Sequence, residues 1–225
     1  VTDEAGDLDR TLDWLVDPAL ERLARRLDRV AGLVATETAA VLDATRTALR
    51  DSLRRKVNRV LVLELNAARM TGGLTAPDPR GRWDEFVGTA AGEEFWHGLH
   101  RRYPNLVDRL RVVVGNRCAA AGAFAERFAA DRDALRELLD AEPGELRKAD
   151  IGAGDSHRGG HAVTAVHCAG GTVMYKPRPT AVDARLAELV AALTGTDPAA
   201  TRIRVPRVLV RDGYGWAEHV PHRHC

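Results

Sequence analysis

The chain has little cysteine and methionine, three and two among 225 residues, and few aromatics. Cys118, Cys168 and Cys225 are odd in number, far apart and form no C-x-x-C pair, so neither a disulfide framework nor a zinc ribbon is indicated. A reducing cytoplasm is the expected compartment. No apolar run reaches the roughly 18–20 residues of a membrane span, and the acidic start "VTDEAGDLDR" is unlike a signal peptide. Excess charge of one sign is also missing. The 33 Lys and Arg face 32 Asp and Glu, a net charge of +1, so nothing global attracts nucleic acid or anionic lipid. The chain starts at Val1 and stops at Cys225 directly after "HRH", and both ends read as cuts in a longer protein.

What is present first is helix. Asp17-Pro18 reads as a cap followed by proline in the first turn, and Leu20, Leu23, Leu27, Val30 and Val34 recur at helical spacing. A second stripe runs through Leu42, Leu49, Leu53, Val57, Val60 and Leu61, with Arg46, Arg50, Arg54, Arg55 and Arg59 around it. Interspersed Asp43, Asp51 and Glu64 make that arginine-dotted helix a solvated face rather than a nucleic-acid or membrane surface. Thr71–Arg82, with three glycines and two prolines, reads as a loop, after which helices resume and Pro104 starts a new one.

After Glu142-Pro143-Gly144 the period changes. His161–Cys168 and Thr172–Pro177 are β-rich runs around Ala169-Gly170-Gly171, a hairpin. Ala181–Leu193 returns to helix with Gly195 as C-cap, and two further strands meet at Asp212-Gly213. The fold class is α+β. Residues 1–150 form a helical region, and residues 151–225 form a lobe with an antiparallel sheet and one helix, in the order β-β-α-β-β.

Chemistry concentrates in that lobe. Gly152, Gly154, Gly159 and Gly160 supply a turn whose amides approach phosphate oxygens without side-chain obstruction. A glycine loop, a strand, a tight turn, a strand with a single Lys, then a helix with an inward Glu is the order of a kinase small lobe, in which the Lys pairs with nucleotide phosphates and with the helix Glu. Lys176 is the candidate lysine and Glu188 its candidate partner.

The segments "GDSHRGG", "YKPR", "VDARLAELVAAL" and "GYGWAEHV", in this order, resemble the dehydratase region of the class II lanthipeptide synthetases (LanM), and "LVLELNAARM", "YPNLVDRLR" and "FAADRDALRELL" resemble that family's N-terminal helices. The resemblance implies an enzyme similar to lipid kinases. It would phosphorylate Ser and Thr of a ribosomal precursor (leader-core) peptide with ATP and Mg²⁺, then eliminate phosphate to give dehydroamino acids. It also implies a separate C-terminal zinc cyclase domain in the full-length chain. Asp155 and His157 match the family's G-D-x-H pair, Lys176 the Y-K-P-R lysine and Arg178 the arginine after it. Gly154, Gly159, Gly160, Lys176, Arg178 and Glu188 would hold the nucleotide, and Asp155, His157 and Lys176 would serve the chemistry.

The catalytic base and metal ligands of a kinase lie beyond the hinge, where this chain is expected to be truncated, so the fragment alone is expected to be inactive and to hold no metal ligand. Other readings are an atypical kinase with stable phosphorylated products and a non-catalytic peptide-binding module. For single residues, Lys176 reads otherwise as a solvated strand lysine, and Arg178 as a residue that shapes the strand exit or pairs with Glu218. His219, His222, His224 and Cys225 are too close in sequence to close one tetrahedral zinc centre.

Overall fold

The computed structural model describes residues 8–152, 159–194 and 204–221. Helices α1 (Asp13–Leu27), α2 (Ala35–Met70), α3 (Pro79–Ala90), α4 (Glu93–Arg102) and α5 (Pro104–Asp131) come first. A 3₁₀ turn (Arg132–Leu135) and the short α6 (Arg136–Leu139) lead into β1 (Leu146–Ile151), β2 (Thr164–Cys168) and β3 (Gly171–Lys176). Helix α7 (Ala181–Thr194), β4 (Val208–Arg211) and β5 (Tyr214–Glu218) complete the order. The α+β class holds, with helices first and an antiparallel sheet in the order β1-β2-β3-β5-β4. No helix among the described residues is long and apolar enough to cross a membrane.

The chain divides into two compact units, each discontinuous in sequence: residues 1–23 with 45–118, and residues 24–44 with 119–225. In the first, Leu12, Leu15, Val16, Leu20 and Leu23 are buried, as are Leu49, Leu53, Val57 and Leu61 on α2. This apolar stripe starts before Pro18. Helix α1 therefore begins at Asp13 and carries Pro18 inside it rather than at its first turn, because burial of Leu15 and Val16 offsets one lost backbone hydrogen bond. Trp96 anchors the unit: its Nε1 donates to the Ala90 carbonyl at 2.8 Å, and its ring lies 5.4 Å from that of Trp14. The presumed loop at Thr71–Arg82 is helical from Pro79, since Asp78 caps α3 by accepting from the Gly81 amide at 2.9 Å and proline occupies the first turn.

Three of the arginines of α2 are paired with carboxylates. Arg46, Arg50 and Arg54, one helical turn apart, meet Asp17, Asp13 and Asp9 at 2.6, 2.7 and 3.2 Å, a ladder made possible by four-residue spacing on both sides.

In the second unit the sheet lies on the C-terminal end of α5. Phe124 and Phe128 pack against Trp216, and Phe124 also meets Tyr175 at 5.2 Å between ring centres. Asp131, at the end of α5, accepts from Arg211 Nε at 2.7 Å, from the Tyr214 hydroxyl at 2.8 Å and from Trp216 Nε1 at 2.8 Å. Burial pushes its carboxyl up, but the three donors prevail and hold it below the ordinary carboxylate value. In the same unit, Glu37 in the first turn of α2 also gathers donors. Fully buried, it accepts from the Val34 and Leu146 amides and from Arg132.

The sequence reading missed β1. "LRKADI" is charged at three of six positions, and a register shift between Leu146 and Lys148 breaks the alternation that would have revealed a strand. Both expected hairpins are present, with two-residue turns at Ala169-Gly170 and Asp212-Gly213. Gly170 is required there, because a Cβ would fall 2.0 Å from the Glu142 carbonyl oxygen. The helix expected over Ala181–Leu193 forms as α7, but its apolar stripe of Val182, Leu186, Leu189 and Leu193 stays exposed. Gly195 lies outside the described residues.

Two outcomes follow. Asp131→Ala strands the Trp216 N–H and should cost about 2–4 kcal/mol in urea unfolding. Because the folded carboxyl is depressed, its contribution is present above about pH 4 and lost as pH falls further, so the gap between wild type and Asp131→Asn should narrow on acidification. Asp13→Asn, which removes one partly exposed rung, should cost about 0.5–1 kcal/mol at low salt and much less in 1 M NaCl.

Candidate functional site

The base of the glycine loop and Lys176 lie at the same end of the sheet. The loop leaves β1 at Gly152, whose N–H donates to the Val163 carbonyl at 3.1 Å, closing the loop's base. Ile151 pairs with Thr164, and Thr164 with Tyr175, so that base lies level with the residue before Lys176. Gly152, Gly159 and Gly160 have φ of 103°, 75° and 86°, backbone that side chains disfavour, as the turn reading requires. Gly154, Asp155 and His157 lie outside the described residues.

Side chains alternate across β3. Val173 and Tyr175 are buried toward the helices, and Thr172, Met174 and Lys176 take the opposite face. Lys176 is registered with Gly215 on β5. Thr180, fully buried, stands directly over Gly215, where a Cβ would fall 2.0 Å from its Oγ1. The missing side chain thus lets the connection Pro177–Thr180 turn back over the sheet and start α7 beside Lys176.

The carboxylate that meets Lys176 is Asp183, not Glu188. Lys176 Nζ lies 3.5 Å from Asp183 Oδ1. Arg178 grips the same carboxylate with two nitrogens, at 3.1 Å to Oδ2 and 3.4 Å to Oδ1. Glu188, more than a turn further on, pairs with Arg185 at 2.6 Å and is largely exposed. The four-residue connection is the reason: it brings only the first turn of α7 to the end of β3. Burial raises the Asp183 carboxyl, yet Arg178 and Lys176 hold it below its ordinary value, so it is ionised at neutral pH. Arg178 does not pair with Glu218, which instead meets Arg204 and Arg207.

Two cations on one carboxylate leave one positive charge in excess beside a helix N-terminus. Such a set accepts an anion, phosphate above all, since Arg178 can exchange one fork for another. Asp183 was legible in principle, as the acidic residue in the first turn of "VDARL". Among the described residues no three His, Cys, Asp or Glu side chains converge to hold a metal. His219 is described, whereas His222, His224 and Cys225 are not.

A family model described as a domain of unknown function (DUF4135) matches residues 103–225, more than half of the chain. The chain belongs to the DUF4135 family. The matched span includes the sheet, α7 and the Lys176–Asp183–Arg178 cluster, so the site described above is part of the DUF4135 domain. No curated protein matches the chain.

The space under Thr180 gives this site a structural test. Gly215→Ala should force Thr180 and the start of α7 outward and lower stability by about 1–3 kcal/mol, read as a fall in thermal midpoint.

Proposed function

We propose that the chain is the N-terminal part of a class II lanthipeptide synthetase dehydratase and carries its phosphate-binding lobe. The observation behind this reading is the convergence of Lys176 and Arg178 on Asp183, at the end of the sheet where the glycine loop closes. A strand lysine paired with a carboxylate of the following helix, beside a glycine loop, is also how a kinase small lobe orients the lysine that holds nucleotide phosphates. The ordered motifs "GDSHRGG", "YKPR" and "GYGWAEHV" supply the finer resemblance to the synthetases, and membership of DUF4135 is compatible with it.

ATP, when bound, supplies the phosphoryl group that turns a Ser or Thr hydroxyl of the precursor peptide into a leaving group. In this reading Lys176 and Arg178 bind phosphate oxygens. Asp183 orients the Lys176 ammonium, the role first assigned to Glu188. Gly159 and Gly160 keep the loop backbone open to the phosphates. Asp155 and His157 act from the same loop, at the phosphates or in the proton transfer of elimination. Hydroxide leaves poorly, whereas phosphate leaves readily once cations neutralise it, so one cationic site serves both phosphorylation and elimination. Mg²⁺ would accompany the nucleotide, but no ligand for it is assigned to the described residues. A zinc cyclase domain and a cytoplasmic location belong to the same reading of the intact synthetase.

The test is mass spectrometry of a precursor peptide incubated with the intact parent protein, ATP and Mg²⁺. The expected product has lost water at Ser or Thr, with phosphopeptide only transient. Lys176→Ala should slow the reaction by about a hundredfold or more. Stable phosphopeptide would reassign the protein as a kinase, and an unmodified peptide would overturn the reading.

A further inference from the structure

A second cluster of reactive groups lies on the same sheet face, away from the cationic site. His167 on β2 and Thr172 on β3 are directly paired across the strands. His167 Nδ1 lies 3.0 Å from Thr172 Oγ1. On the other side of the ring, Nε2 lies 2.9 Å from Asp150 Oδ2 on β1. Lys148 Nζ holds the other oxygen of Asp150 at 2.7 Å. The hydrogen bond from Lys148, with His167 behind it, outweighs burial and keeps the Asp150 carboxyl below its ordinary value, so the carboxylate is an acceptor. With Asp150 as acceptor, the tautomer that satisfies both contacts carries its proton on Nε2 and leaves Nδ1 to accept from the Thr172 hydroxyl. Nucleophile, base and orienting carboxylate therefore stand in hydrogen-bonded sequence, the logic of the Ser-His-Asp triad with the two ring nitrogens exchanged.

We propose that Thr172 is an activated hydroxyl nucleophile and an acyl-acceptor site for small activated esters or thioesters. Its oxygen attacks the acyl carbon, and the Oγ–H proton passes to His167 Nδ1. The tetrahedral species collapses by breaking the carbon–oxygen or carbon–sulfur bond to the leaving group, which departs as alkoxide, phenolate or thiolate. The products are O-acyl-Thr172 and an imidazolium stabilised by Asp150, which then loses its proton to solvent. The site is open to such reagents, since the His167 side chain is 35% exposed. Lys176 is four residues along β3, roughly 13 Å at about 3.3 Å per residue, so this chemistry is separate from the phosphate site and does not rest on the function proposed above.

The experiment treats the chain with p-nitrophenyl acetate and maps acetylation by peptide mass spectrometry. Thr71 serves as internal reference, an exposed hydroxyl bonded only to backbone carbonyls. Thr172 should be acetylated about a hundredfold faster than Thr71, the scale of general-base assistance. His167→Gln preserves a donor toward Asp150 and an acceptor toward Thr172 while removing the base, and should bring Thr172 down to the rate of Thr71. Thr172→Ser should retain labelling at position 172. Equal rates for Thr172 and Thr71 in the wild-type chain would overturn the proposal with no variant needed. So would labelling that survives in His167→Gln, or acetyl found on the His167 ring and not on Thr172.

Discussion

The second unit depends on one buried carboxylate. Asp131 ends α5 and gathers a guanidinium, a phenol and an indole from β4 and β5. Each donor would be costly to bury without an acceptor, and a lone carboxylate in that position would be costly without donors. Because Tyr214 and Trp216, two residues apart on β5, share one face and Arg211 is paired with Tyr214 across the hairpin, satisfying Asp131 fixes which face of the sheet turns toward α5. The opposite face is thereby left to Lys176, His167 and Thr172. Arg127 reinforces the arrangement by lying 4.2 Å over the Tyr214 ring and donating to the Tyr175 hydroxyl at 2.6 Å.

With that face defined, a short chain of local constraints assembles the cationic site. Tyr175 points inward to Trp216 and Phe124, so Lys176 points outward. Gly215 admits Thr180, the chain turns at once into α7, and the first acidic residue of that helix falls against the lysine. These steps set Asp183 where it neutralises part of the cationic charge. Under the proposed function, an entering phosphate would meet cations already oriented.

Much of this was legible before the structure. The hairpins announced themselves through Ala169-Gly170-Gly171 and Asp212-Gly213, because turn chemistry is local. Lys176 stood out as the single lysine of a β-rich run, set in Tyr-Lys-Pro-Arg ahead of a helix. What was not legible depended on geometry that sequence spacing does not encode. The irregular register of β1 hid a strand, burial of Leu15 and Val16 carried α1 past Pro18, and the four-residue link, rather than helical periodicity, selected Asp183 over Glu188. Arg46, Arg50 and Arg54 looked solvated because their partners, Asp17, Asp13 and Asp9, precede them by 29 to 45 positions.

The central claim, that Lys176, Arg178 and Asp183 form a phosphate-binding site, is tested most directly by calorimetric titration of the chain with ATP, ADP and AMP at two salt concentrations. Affinity should fall in that order and weaken as salt rises, because successive phosphates reach successive cations. Equal affinities for the three nucleotides, or binding unchanged when Lys176 and Arg178 are both replaced by alanine, would contradict it.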